Sequence, residues 1–113
     1  MTASLNKYDI VVVRFPFTDS AKHKARPAVV ISNEYYNRHS RNAIIILAIT
    51  SQFENKLPLE KEITHWQKSG LLKPSLFKAS VATIDKQQVI TKLGKLERTD
   101  ILRLLEMLKI MID

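Results

Sequence analysis

The chain has no cysteine, which excludes disulfide staples and thiolate metal sites. Only two of its 113 residues are glycine, Gly70 and Gly94, so a glycine-rich loop that cradles phosphate is excluded too. No long apolar run is present. The longest, Ala43 to Ile49, is far too short to cross a bilayer, and the opening "MTASLNKYD" has no apolar signal-peptide core. A single domain over residues 1–113 in the cytoplasm is therefore expected, without a membrane association. Acidic residues are also scarce. Eleven Asp and Glu face eighteen Lys and Arg, a formal charge of +7 and a pI near 9.8. An excess of that sign suits a polyanionic partner, because neutralising phosphates releases counterions.

What is present is a series of short apolar runs. "YDIVVVRF" (Tyr8 to Phe15) reads as a strand, and "PAVVIS" (Pro27 to Ser32) as a second with its proline at the start, where a missing N–H is tolerated. The loop between them is too long for a tight hairpin. Asn33 can cap a helical turn through "EYYNRH". Ala43 to Ile49 reads as a strand buried on both faces. "LPLEKEIT" (Leu57 to Thr64) alternates weakly, as an outer strand would, and "GLLKPS" is turn-like. "SLFKASVATI" (Ser75 to Ile84) predicts a strand, "DKQQV" a short helical turn, and "ITKLGKL" a last strand bent at Gly94. The C-terminal segment predicts a helix capped by Thr99, with Asp100 in its first turn. Ile101, Leu102, Leu104, Leu105, Leu108, Met111 and Ile112 would form its packing stripe. Five or more short strands and one terminal helix imply a mainly β fold, a small curled antiparallel barrel whose interior is filled by side chains. Chemistry must then lie on a face or in the loops.

Two places carry suitable groups. Lys22, His23, Lys24 and Arg26 crowd the end of the first loop, and Arg26 precedes a proline, which biases it to extended backbone at the entrance of a rigid strand. Its guanidinium fork matches phosphate oxygens. The buried strand ending at Ile49 then presents the hydroxyls of Thr50 and Ser51 and the amide of Gln52. Such hydroxyls either satisfy local backbone groups or bond a phosphate or a ribose 2′-hydroxyl. Trp66, Tyr35 and Tyr36 are read as packing residues, with stacking on unpaired bases as the alternative; His39 and His65 are read as surface residues.

"YDIVVVRFPFTDSAKHKARPAVVIS", "IIILAITSQ", "GLLKPS" and "ATIDKQQVITKLGKL" occur in an order and spacing that resembles the MazF/PemK family of toxin endoribonucleases, from Tyr8 to about Leu105. The resemblance implies an SH3-like barrel that pairs as a homodimer, cuts single-stranded RNA without metal or other cofactor, and is neutralised by a cognate acidic antitoxin. It also implies catalytic roles for Arg26 and Thr50. Ser51, Gln52, Lys22 and Lys24 would contact RNA beside them, with Phe17 lining the groove. His23 is the titrating candidate for general base. In some members the strand before "TID" carries an Arg and an Asp. Here it reads "SLFKASVAT", with Lys78 as its only charge and an RNA contact as its expected role. Two other classes share the scaffold: a protein-targeting gyrase poison like CcdB, and a non-catalytic RNA-binding module.

Overall fold

A computed structural model describes residues 4–14 and 24–112. Five strands form one antiparallel sheet: β1 (Asp9–Arg14), β2 (Ala25–Val30), β3 (Ala43–Thr50), β4 (Leu76–Asp85) and β5 (Val89–Lys95), in the order β4-β3-β2-β1-β5. Helix α1 (Glu34–His39) joins β2 to β3, and α2 (Arg98–Ile112) follows β5. This is the mainly β architecture with a terminal helix that the pattern predicts. Among the described residues no helix is long and apolar enough to cross a membrane.

The central strands are buried on both faces and so are largely apolar, whereas β5 has no buried residue. On one face Ile10, Val29, Leu47, Ile49 and Phe77 pack against Leu104 and Met107 of α2 and against Ile63 and Leu71 of the long β3–β4 connection. On the other, Val11, Val13, Ala28, Val30, Ile44 and Ile46 pack together with Ala82 and Ile84. Register shifts in the β1–β5 and β3–β4 ladders bend the sheet, since a bulge increases local twist.

Several local expectations hold. Asn33 is the N-cap of α1, accepting the Tyr36 N–H at 2.9 Å. Asp85 caps the 3-10 turn Lys86–Gln88. Others are corrected. β2 starts at Ala25, so Pro27 lies inside the strand instead of opening it. Leu57–Thr64 is no strand. Its only ladder contact is one bridge, Glu62 to Leu76, and its start is instead folded on itself, the buried carboxylate of Glu60 accepting the Leu57 N–H at 2.8 Å.

Helix α2 begins at Arg98, one residue before the predicted cap. Thr99 sits in its first turn together with Asp100, which lies there as expected and is fully buried. Its two carboxylate oxygens accept the N–H groups of Thr64 and His65 at 2.7 and 2.8 Å, tying the β3–β4 connection to the helix. The predicted apolar stripe is only partly used: Leu104 is buried with Ile101, Leu108 and Met111 beside it, whereas Leu102, Leu105 and Ile112 are exposed, and Met107, outside the predicted stripe, is fully buried. Trp66 does pack against the core. Tyr35 does not; it is 71% exposed and stacks on the His39 ring at 4.3 Å.

Candidate active site

The β2–β3 ladder pairs Val30 with Ile46, Val29 with Leu47 and Ala28 with Ala48. In an antiparallel pair the residue numbers of partners keep a constant sum. Continuing this register by two residues sets Pro27 opposite Ile49 and Arg26 opposite Thr50. The named pairs end at Ala28 for a chemical reason: Pro27 has no N–H to donate. Past that point the strand ends carry side chains and not ladder bonds, and directly opposed residues on one sheet face lie within side-chain reach.

Those ends open into a cleft of about 330 Å³ lined by Arg26, Thr50, Ser51 and Gln52. Val12, Pro27, Ile49 and Leu93 form its apolar base. Its far wall is the segment after Gly70: Leu71, Leu72, Lys73 and Ser75. Leu71 is buried and anchors the wall in the core, while Leu72 stands 91% exposed at the rim. Ser75 donates its hydroxyl to the Lys73 carbonyl at 2.9 Å, tightening the turn that carries the lysine. The turn-like pattern of "GLLKPS" singles out neither Leu72 nor Lys73 as a site residue. The available signal was the pair itself, an apolar and a cationic side chain next to Pro74 in a short exposed turn.

Thr50 is half-buried at the end of β3. Its Oγ1 accepts the Gln52 N–H at 3.1 Å, so the local backbone role of this hydroxyl is real. That bond uses an oxygen lone pair and leaves the hydroxyl hydrogen to donate to something in the cleft. Arg26 is exposed at the opposite strand end. The two groups implied as catalytic therefore share one cleft, with Ser51 and Gln52 beside them.

The remaining candidates divide. Lys24 is exposed just before β2 and does not line the cleft. Lys78 lies in a second cleft, of about 390 Å³, whose wall also includes Thr50 and Gln52. Lys22, His23 and Phe17 fall outside the described residues. Among the described residues, no three His, Asp or Glu side chains gather into a cation site.

Comparison with known proteins places this geometry. No curated protein sequence matches the chain. Among solved structures, MazF of Deinococcus radiodurans superposes with a TM-score of 0.76 at 15% identity, covering 98% of each chain. An endoribonuclease from a mycobacterial species, solved with its cognate antitoxin, superposes at 0.73 with 17% identity over 96% of this chain and 93% of the other. The Mycobacterium tuberculosis toxin MazF-mt6 follows at 0.69 and 21% identity, over 88% and 90%. At such identities these likenesses establish a shared fold. The model of the PemK-like, MazF-like toxins of type II toxin–antitoxin systems matches residues 6–112, and the chain belongs to that family.

Proposed function

We propose that the protein is a metal-independent endoribonuclease toxin that cuts single-stranded RNA at the Arg26–Thr50 cleft. The observation that carries this reading is the convergence of a guanidinium and a hydroxyl from two neighbouring strand ends on one cleft. The ribose 2′-hydroxyl attacks the adjacent phosphorus, forming the 2′-O–P bond as the P–O5′ bond breaks. The 2′ proton passes to a base and the 5′ oxygen takes up a proton, leaving a 2′,3′-cyclic phosphate and a 5′-hydroxyl. Negative charge grows on the phosphoryl oxygens in the transition state, and Arg26 stabilises it there. A guanidinium is a poor proton donor, so Arg26 is a charge stabiliser before it is an acid. Thr50 orients the phosphate through its free hydroxyl hydrogen. His23 is the proposed base, and Lys22, Lys24, Ser51, Gln52, Phe17 and Lys78 are proposed to contact the strand.

The partners proposed are RNA, a second copy of the chain and a cognate antitoxin, in the cytoplasm. Membership of a toxin–antitoxin family supports the antitoxin, and the +7 charge would steer an acidic chain toward the surface that RNA uses. Exposed Leu102, Leu105 and Ile112 offer apolar area for a protein contact.

Incubating the protein with a mixed-sequence RNA and its DNA counterpart, in EDTA, tests the proposal. The expected result is RNA cut at a few sites, DNA intact, and a loss of about 10²–10³ in rate for Arg26→Ala. RNA bound but never cut would identify a binding module, and RNA neither bound nor cut would favour a protein target.

A further inference from the structure

The second cleft adjoins the first through Thr50 and Gln52, and its construction is unusual. Leu47 pairs with Val81 and Ile49 with Phe77, so Ala48 alone on β3 faces Lys78, Ala79 and Ser80 on β4. The surplus residues bulge. The bulge releases the Ala79 N–H from the ladder, and Glu60 accepts it through Oε2 at 2.8 Å. Glu60 Oε1 accepts the Leu57 N–H, also at 2.8 Å. The carboxylate is 6% exposed, lines the second cleft and is held at both oxygens by backbone. A carboxylate has about four lone-pair sites, so two remain for a ligand. Lys78, exposed on the same bulge, stands at the cleft with its cation.

We propose that this cleft is a nucleobase subsite for a nucleotide next to the one held at Arg26 and Thr50. Glu60 there selects a base with an amino donor on its Watson–Crick edge, while Lys78 holds the phosphate. The inference rests on the RNA substrate proposed above. A fixed acceptor-only group pairs with the amino groups of cytosine, guanine or adenine, whereas uracil offers only its N3–H, flanked by two carbonyls that repel the carboxylate. Lys78, as a point charge on phosphate, adds affinity without base information. A single set of groups thus divides into one that reads and one that holds. The only carboxylate on β4 is Asp85 at its far end, and the bulge is what lets one from the β3–β4 connection reach this edge of the site.

The test uses 2′-O-methyl oligouridine hexamers, which cannot be cut, and the same hexamers with one uridine replaced by cytidine or guanosine. Because the strand can slide, the replaced base will find the subsite. The expected result is at least about fivefold tighter binding for the replaced hexamers. Glu60→Gln should remove most of that gain, and Lys78→Met should weaken all hexamers by one common factor. A hexamer carrying 5-iodocytidine should photo-crosslink to residues 54–60 or 78–79, a readout that needs no variant and survives if Glu60→Gln misfolds. Equal affinity for all hexamers, or crosslinks only elsewhere, overturns the subsite. If unblocked RNA is left whole while base-dependent binding persists, the nuclease reading falls and the subsite stands.

Discussion

Gly70 and Gly94, the only glycines in the chain, sit back to back: Gly70 lies against the Leu93 carbonyl, and Gly94 against the Ser69 carbonyl. The contact docks the turn before Leu71 onto β5, and Leu71, Leu72, Lys73 and Ser75 line the cleft that holds Arg26 and Thr50. A Cβ at Gly94 would come within 2.5 Å of the Ser69 oxygen, and Gly70 also has φ +94°, a region that L side chains rarely adopt. Gly94→Ala is expected to lose about 1–3 kcal/mol by overpacking. Gly70→Ala adds backbone strain and should lose about 2–4 kcal/mol. Urea unfolding followed by circular dichroism checks the order. RNA cutting should fall under conditions where both variants remain folded, because the wall moves first; full activity in a folded Gly70→Ala variant would refute that coupling.

Thr50→Ser and Thr50→Val separate the hydroxyl from the shape of the side chain. Valine keeps the branched form that suits a strand end but can neither accept the Gln52 N–H nor donate to phosphate. We expect Thr50→Val to cost about 0.5–1.5 kcal/mol of stability and about 10²-fold in cutting rate. Serine restores both functions and should recover most of the rate. Equal rates for the two variants would assign Thr50 to the fold alone. Single-turnover cleavage of one defined oligonucleotide is the measurement.

The strands were legible because each is a short run of Val, Ile and Ala that no helix period fits, and β1, β3 and β4 fall within a residue or so of the predicted bounds. Positions 57–64 were not. Their weak alternation resembles a strand, yet Glu60 accepts the Leu57 N–H three residues away and the Ala79 N–H of β4, Asp100 accepts the N–H groups of Thr64 and His65, and no local pattern announces these last three partnerships across 19 to 36 residues. The site divides in the same way. Arg26 and Thr50 stand out as types at strand ends. That they oppose each other follows only from the β2–β3 register, which depends on the whole core. Lys73 had only the weak signal of its place beside Leu72 and Pro74 in a turn, and Glu60 had none, since a glutamate in a charged stretch is among the commonest of surface patterns.

Asp100 shows how far a buried carboxylate can serve structure alone. It is 0% exposed, and its two oxygens accept Thr64 and His65 N–H groups from the connection that leads to the cleft wall. Removing it leaves two part-buried donors without their partner, at a cost of up to about 1–3 kcal/mol each. Asp100→Ala should therefore destabilise by about 2–5 kcal/mol, and Asp100→Asn, which keeps one accepting oxygen, by clearly less. Equilibrium unfolding in urea provides both values. An Asp100→Ala variant within 0.5 kcal/mol of the parent, on the scale of a neutral surface change, would show that water reaches these amides.

Lys73 gives the last prediction, and it isolates electrostatics from chemistry. The lysine lines the cleft on a turn fixed by the Ser75 hydroxyl, opposite the strand ends that carry Arg26 and Thr50. A cation so placed meets the phosphate of a bound strand and neutralises about one charge. For single strands the logarithm of affinity falls with the logarithm of salt by about 0.7 per neutralised phosphate. Lys73→Ala should then lower that slope by about 0.7, weakening binding alike for every sequence, because phosphate contacts carry no base information. The rate at saturating RNA should change far less than in Arg26→Ala, since Lys73 acts on the ground state and the transition state together. Anisotropy titrations of an uncut oligonucleotide between 50 and 200 mM salt measure the slope, and an unchanged slope would place the RNA backbone away from this wall.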